Sequence, residues 1–291
     1  MKHTFSGPLS RALITAILLT AASAVPASAQ IAAGKGFDYI IRPEASVEEM
    51  LSHSDFWAVE VALKPMRMVT VNVTDPTTGK KKLERIWYLA YRVVNRPLDR
   101  PDRTATEPSN ELDPPPRQRP LFIPEFTLVT DDNSEQFVYE DVLIPEAQAE
   151  ISRRERMPLK NSVEIAGQIP EVTDPEALAP NALFGVAMWR NIDPRVDFFT
   201  VYLTGFSSGY RVVAGQDGEQ LNYRRTIVVD FQRPGDEFDQ TEREFRRPSE
   251  GRWIYRPEDI TPDNLNNELP AGADEKKDGE AALPEAAAAE E

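Results

Sequence analysis

The sequence predicts a mainly β protein: antiparallel sheets packed as a β-sandwich, in one or two units, with a short surface helix and a disordered acidic C-terminal tail. Three observations predict it. Apolar side chains recur with a period of two in successive runs between residues 56 and 256, the in-and-out alternation of a strand with one face buried. Turn-forming Pro, Gly, Asp and Asn separate those runs at short intervals, as hairpins and sheet-changing connections require. Residues 257 to 291 hold 11 acids, two lysines and no aromatic residue, too little apolar surface to offset the entropy of ordering a chain.

Taken in order, Lys2 and Arg11, the uncharged run Ala12 to Val25, and Ala27-Ser28-Ala29 make the basic, apolar and small-residue succession of a secretory signal cut after Ala29. As a helix the apolar run reaches about 21 Å, short of the roughly 30 Å hydrocarbon layer. Residues 1–29 therefore read as a signal peptide, no transmembrane span follows its cleavage, and the expected location is the periplasm or the extracellular space. In the N-terminal segment 30–54, Ser46 and Glu49 have the spacing of a capping box, which predicts one or two helical turns ending near His53.

Residues 55–144 make the first β-rich half. Trp57, Val59, Val61 and Leu63 alternate with Ala58, Glu60 and Ala62, and a second strand covers Met66 to Val73 before the turn at Asp75 to Gly79. The third strand, Ile86 to Asn95, places Trp87, Leu89, Tyr91 and Val93 on one face; Arg92 marks the opposite face as the wetter one. Residues 97–120 include seven prolines in 24 positions, which form neither ladder nor helix, so this stretch is a proline-rich insertion between strands. Strands resume at Leu121 to Thr130 and Phe137 to Ile144. Pro145 and Glu146 at the start, Arg153, Arg154 and Arg156 at the end, and Pro158 beyond predict a connecting helix over 145–157. The second half, 160–256, reads as strands at Val163 to Ile169, Leu183 to Trp189, Phe198 to Gly205, Tyr210 to Val213, Tyr223 to Phe231 and Gly251 to Tyr255. The tail, 257–291, follows.

Composition closes several chemistries. The 291 residues contain no cysteine and two histidines, of which His3 lies in the signal. Disulfides, thiolate nucleophiles and Cys-ligated metals are excluded, and one imidazole is too few for a His-ligated zinc site. The formal net charge is −15, with −9 in the tail and −8 over residues 30–256, which argues against nucleic acid as a partner. No dinucleotide or phosphate-loop glycine motif occurs, and no cofactor is expected.

Asp131, Asn133 and Glu135 have the i, i+2, i+4 oxygen spacing that opens a calcium loop. Gln136 and Val142 stand where that loop needs Gly and a bidentate Glu, so the trio reads first as a polar hairpin and only second as a cation site. Asp193 and Asp197 make a second oxygen pair around a Pro-Arg turn. Gly205-Phe206-Ser207-Ser208-Gly209 matches the nucleophile-elbow pattern through Ser207, yet the strands on both sides replace the strand-to-helix context an elbow requires. Asn72-Val73-Thr74 is a glycosylation sequon. Tyr88, Arg92 and Tyr202 fall on strand faces opposite the expected core and are the candidate ligand-facing residues.

The runs from Trp87 to Asn95 and from Gly185 to Pro194 resemble, in texture, uncharacterised secreted proteins of planctomycete-type bacteria, and the first is similar to the Tyr-x-Val-x-Asn strand of immunoglobulin-like modules. The resemblance implies export and an immunoglobulin-like β-sandwich and brings no activity or catalytic residue. The expected function is a non-catalytic interaction module whose partner is an envelope protein or a glycan. The alternative is a carbohydrate-binding or carbohydrate-hydrolysing protein that uses an aromatic face and paired carboxylates.

Overall fold

The computed structural model describes residues 36–52, 56–98, 119–132, 135–173, 181–193, 195–214, 220–233, 245–247, 249–258, 261, 264 and 267–270. The signal peptide, His53, Asn133, the interior of the proline-rich insertion and residues 271–291 lie outside them.

The first sheet is organised by β4 (Lys81–Val94), a 14-residue strand long enough to be shared. Its opening half pairs with β3 (Arg67–Thr74), Tyr88 opposite Arg67. On the same edge its last four residues pair with β2 (Glu60–Leu63), which carries β1 (Tyr39–Ile41). On the opposite edge, Ile86 to Val93 pair with β9 (Leu183–Arg190). The second sheet runs β13 (Arg252–Pro257), β12 (Gln220–Gln232), β10 (Phe198–Thr204), β6 (Glu125–Asp132) and β7 (Glu135–Glu140). The strand β11 (Tyr210–Ala214) folds onto the start of β12, and β14 (Leu269–Pro270) borders β13. A small pair, β5 (Leu121–Phe122) with β8 (Gly167–Gln168), completes the strands among the described residues. All these pairings are antiparallel.

The two sheets share one core. Leu89, Tyr91, Trp87 and Trp189 from the first sheet and Phe126, Leu128, Phe199, Val201, Ile227 and Val229 from the second belong to a single buried cluster. Ring pairs bridge the layers: Trp87 lies 5.2 Å from Phe199 and Tyr91 lies 4.8 Å from Phe126. Strict alternation sends these residues inward, and area removed from water supplies the driving force. The segment at Phe245 closes the core beside Trp87, its ring 4.5 Å away.

Strand exchange ties the halves of the sequence together. β9 leaves the later half to join the first sheet, and β6 and β7 leave the earlier half to join the second. Lys35 to Glu291 accordingly form one unit.

The helix α1 (Val47–Ser52) is capped as its sequence suggests: Ser46 N–H donates to Glu49 Oε2 at 2.7 Å, and Glu49 N–H donates to Ser46 Oγ at 3.1 Å. The second helix, α2 (Pro145–Glu155), has Pro145 at its start and ends at Arg156, whose φ of 57° is left-handed. It buries Ala147 and Ile151 and packs on β3, so the outer face of the first sheet is covered there. One expectation needs correction. Residues 163–169 are not one strand: α3 (Ser162–Ile165) forms because Asn161 and Glu164 make a capping box, and only Gly167–Gln168 extends. Within the segment expected to be an acidic tail, Leu269 pairs with Tyr255 on the open edge of β13. Among the described residues no helix is long and apolar enough to cross a membrane.

Candidate functional site

A cleft of about 740 Å³ opens where α1 meets β1 and β13. Its walls come from segments distant in sequence: Ile40 to Arg42, Glu44 to Ser46 with Glu49, Arg225, and Glu250 to Trp253. Gly251 permits the close approach of the last segment to β1, since a Cβ there would sit 2.5 Å from Ile41 Cδ1. Gly209 gives Arg225 its space in the same way; a Cβ would lie 2.9 Å from Arg225 Cδ and 3.0 Å from Phe56. Trp253 lines one wall and donates its indole N–H to the Arg42 carbonyl at 2.9 Å.

The floor is ionic and nearly dry. Arg225 is 2% exposed and Glu49 4% exposed. Arg225 Nε stands 3.4 Å from Glu49 Oε1, and the guanidinium lies over the rings of Trp253 at 4.6 Å and Phe56 at 5.4 Å. Tyr255, fully buried, donates its hydroxyl to the same Glu49 oxygen. Burial raises the Glu49 carboxyl, but hydrogen bonds from Tyr255 and Ser46 and the charge of Arg225 outweigh it and hold the group below the usual glutamate range. Burial, reinforced by the bond to Glu49, drives the Tyr255 phenol well above its ordinary value. Burial also lowers Arg225, and Glu49 works against that shift. Even so, Arg225 Nε and Nη1 make no hydrogen bond among the described residues, and both atoms are closed to solvent. A buried donor without an acceptor costs about 1–3 kcal/mol, so these nitrogens, closed to solvent, weigh against stability and present no donor to the cleft.

The structure places the sequence-derived candidates elsewhere. Tyr88 is 1% exposed beneath α2, where its hydroxyl donates to Glu155 Oε1 at 2.8 Å. Glu155 also receives Lys64 Nζ at 2.9 Å and Arg67 Nη1 at 3.0 Å, which makes the cluster a satisfied anchor between helix and sheet. Tyr202 is 7% exposed, with the Arg256 guanidinium 4.0 Å above its ring and its hydroxyl donating to Glu268 at 3.3 Å. Neither tyrosine presents an open ring face: α2 covers one, and Arg256 with the segment around Glu268 covers the other. Arg92 is half-buried and faces Glu60 at 3.6 Å. These three residues are therefore not brought together into a site.

Asp131 is exposed and accepts from Gln136 Nε2 at 3.2 Å; β6 and β7 pair as far as Asp132 opposite Glu135, and Asn133 and the side chain of Glu135 lie outside the described residues. Asp193 and Asp197 each take their own arginine, Arg195 at 2.7 Å and Arg233 at 3.0 Å. Ser207 Oγ donates to the Trp57 carbonyl at 2.9 Å and accepts from Gly209 N–H at 3.1 Å, so both capacities of that hydroxyl are taken by backbone. The cleft residues escaped sequence reasoning because their meeting is entirely long-range. The Ser46 and Glu49 spacing was the one local sign, and it shows the cap without showing that the carboxylate continues inward to Arg225.

No protein-family model matches the chain, and comparison with curated proteins and with solved structures finds no match.

Proposed function

We propose that this protein is an exported, non-catalytic interaction module that holds its ligand in the cleft between α1 and β13. The observation that carries the reading is the open cleft itself, floored by the buried Arg225–Glu49 pair and walled in part by Trp253. The volume, about 740 Å³, falls in the range of roughly 300–1,000 Å³ of small-molecule sites. The shared core supports reading the two sheets as an immunoglobulin-like sandwich, a rigid frame that presents such a cleft at one margin. Export rests on the basic, apolar and small-residue succession at residues 1–29. Trp253 in the cleft wall keeps a glycan among the ligands to be tested.

Saturation-transfer NMR of the mature chain against pools of amino acids, short peptides and cell-wall glycans tests the reading. Saturable binding without change in the ligand spectrum is the expected result. Product signals that grow with time would overturn the non-catalytic part, and the absence of binding to every pool would overturn the cleft.

A further inference from the structure

A second cleft, of about 500 Å³, opens beyond the end of β4 and shares no lining residue with the first. Its floor is core: Phe56, Ala58 and Ile169 are each 3% exposed or less. Its mouth is apolar and open, with Trp57 and Leu98 half-buried and Pro97, Pro120 and Val172 exposed. The walls are tied to one another: Ile169 N–H donates to the Pro120 carbonyl at 2.9 Å, Thr173 N–H to the Asn95 carbonyl at 2.8 Å, and Asn95 Nδ2 to the Pro170 carbonyl at 2.9 Å. Those groups are spent on the fold, and Pro97, Pro120 and Pro170 carry no N–H. An extended peptide, which brings a donor and an acceptor at each residue, finds few partners here; a hydrocarbon chain needs none. The charged lining is Arg96, Arg119 and Glu171. Arg96 is turned to Glu60 at 3.5 Å, whereas Arg119 meets Glu171 at 3.7 Å with the two side chains 49% and 73% exposed. A pair that long and that exposed holds weakly, so the Arg119 guanidinium is available to a stronger acceptor at the lip.

We propose that this second cleft binds a single-chain amphiphile, a long-chain fatty acid, with its hydrocarbon against Trp57, Leu98 and Val172 and its carboxylate at Arg119. The inference goes beyond the binding reading above, which concerns the other cleft. The size, about 500 Å³, falls within the roughly 300–1,000 Å³ of small-molecule sites, whose walls are mostly apolar with a few polar groups that fix orientation. Removing the chain and the cleft wall from water drives the association. The planar guanidinium suits a carboxylate, which it meets through parallel N–H donors, and two cations against one carboxylate in the lining favour an anionic head over an ammonium one.

Undecanoate carrying bromine at its chain end, titrated into the mature chain below its aggregation concentration, tests the proposal, because bromine quenches an indole it touches. Trp57 is the tryptophan of this cleft; Trp87 and Trp189 are sealed in the core, and Trp253 lines the other cleft. Saturable quenching that disappears in Trp57→Phe is the expected result. In calorimetry with the unbrominated acids, shortening the chain by two methylenes should weaken binding about tenfold. Val172 is 61% exposed, so Val172→Asp spares the fold and should weaken binding about tenfold or more, because it sets a charge beside the hydrocarbon. Arg119→Gln should weaken undecanoate about threefold to tenfold and leave undecanol unchanged. Quenching that survives Trp57→Phe, or Val172→Asp without effect, would overturn the site; undecanol or undecylamine binding as tightly as undecanoate would overturn the anionic head. Phosphatidylglycerol vesicles, a proline-rich peptide and a second copy of the chain are tested alongside by sedimentation, and binding of any of them in place of the free acid would overturn the fatty acid. The NMR pools test the cleft at α1 separately, so either reading can fail while the other stands.

Discussion

Replacing Glu49 with glutamine keeps size and most hydrogen-bonding shape while removing one charge, and its effect follows from the surroundings. Arg225 is 2% exposed, already has two nitrogens without an acceptor, and stands 3.4 Å from Glu49 as its one ion-pair partner among the described residues. Without Glu49 it becomes an uncompensated buried cation, and removing one member of a buried pair costs about 3–5 kcal/mol. With a urea slope of about 2–3 kcal/mol per molar, the midpoint of unfolding at pH 7 should fall by about 1–2.5 M. The thermal midpoint should drop by about 6–20 °C for a unit of this size. Urea titration followed by tryptophan fluorescence and circular dichroism measures it. The pair Glu49→Leu with Arg225→Met, which removes both charges, should recover most of the loss, because an apolar replacement of a buried pair is often close to neutral. A Glu49→Gln midpoint within about 0.2 M of wild type, corresponding to less than about 0.6 kcal/mol, would refute the claim that Arg225 depends on this carboxylate.

Acid should act through the same group. The folded Glu49 carboxyl lies below its ordinary 4.5, so its contribution is complete above that value and is lost as pH falls through the lower folded value; Glu49→Gln should flatten the stability profile measured below pH about 5. Glu155, where bonds from Lys64 and Tyr88 outweigh the upward pull of burial, has the same sign, so Glu155→Gln should flatten the profile further in urea titrations across that range. Asp141 is opposite: burial raises it despite the hydrogen bond from Ser162, so its ionised form is the less favoured one when folded. Asp141→Asn should raise the urea midpoint at pH 7, with the gain disappearing below the ordinary 3.8. Gly185→Ala drives a Cβ to 2.3 Å from Tyr91 Cζ and 2.4 Å from its hydroxyl, in a core where Tyr91 is fully buried; overpacking of this kind costs about 1–3 kcal/mol, readable as a lowered thermal midpoint in calorimetry.

By itself the sequence determined most of what repeats locally. Alternation at Trp87, Leu89, Tyr91 and Val93 announced the inward face that forms the core, because side chains on a strand must point to opposite sides. Ser46 with Glu49 and Pro145 with the closing arginines announced helix ends, because capping is settled within a few residues. The Asn161 and Glu164 cap was equally local and was hidden by the apolar residues around it. What the tertiary structure alone decided is which elements meet. β9 crosses to the first sheet and α2 covers Tyr88, so the outer face of β4 is sealed there, and a period of two cannot tell a face turned to water from one roofed by a helix. Glu49 meets Arg225 and Tyr255 across 176 and 206 positions of sequence, and no local preference encodes such a meeting; it exists because burial of the shared core brings those strands and that helix together.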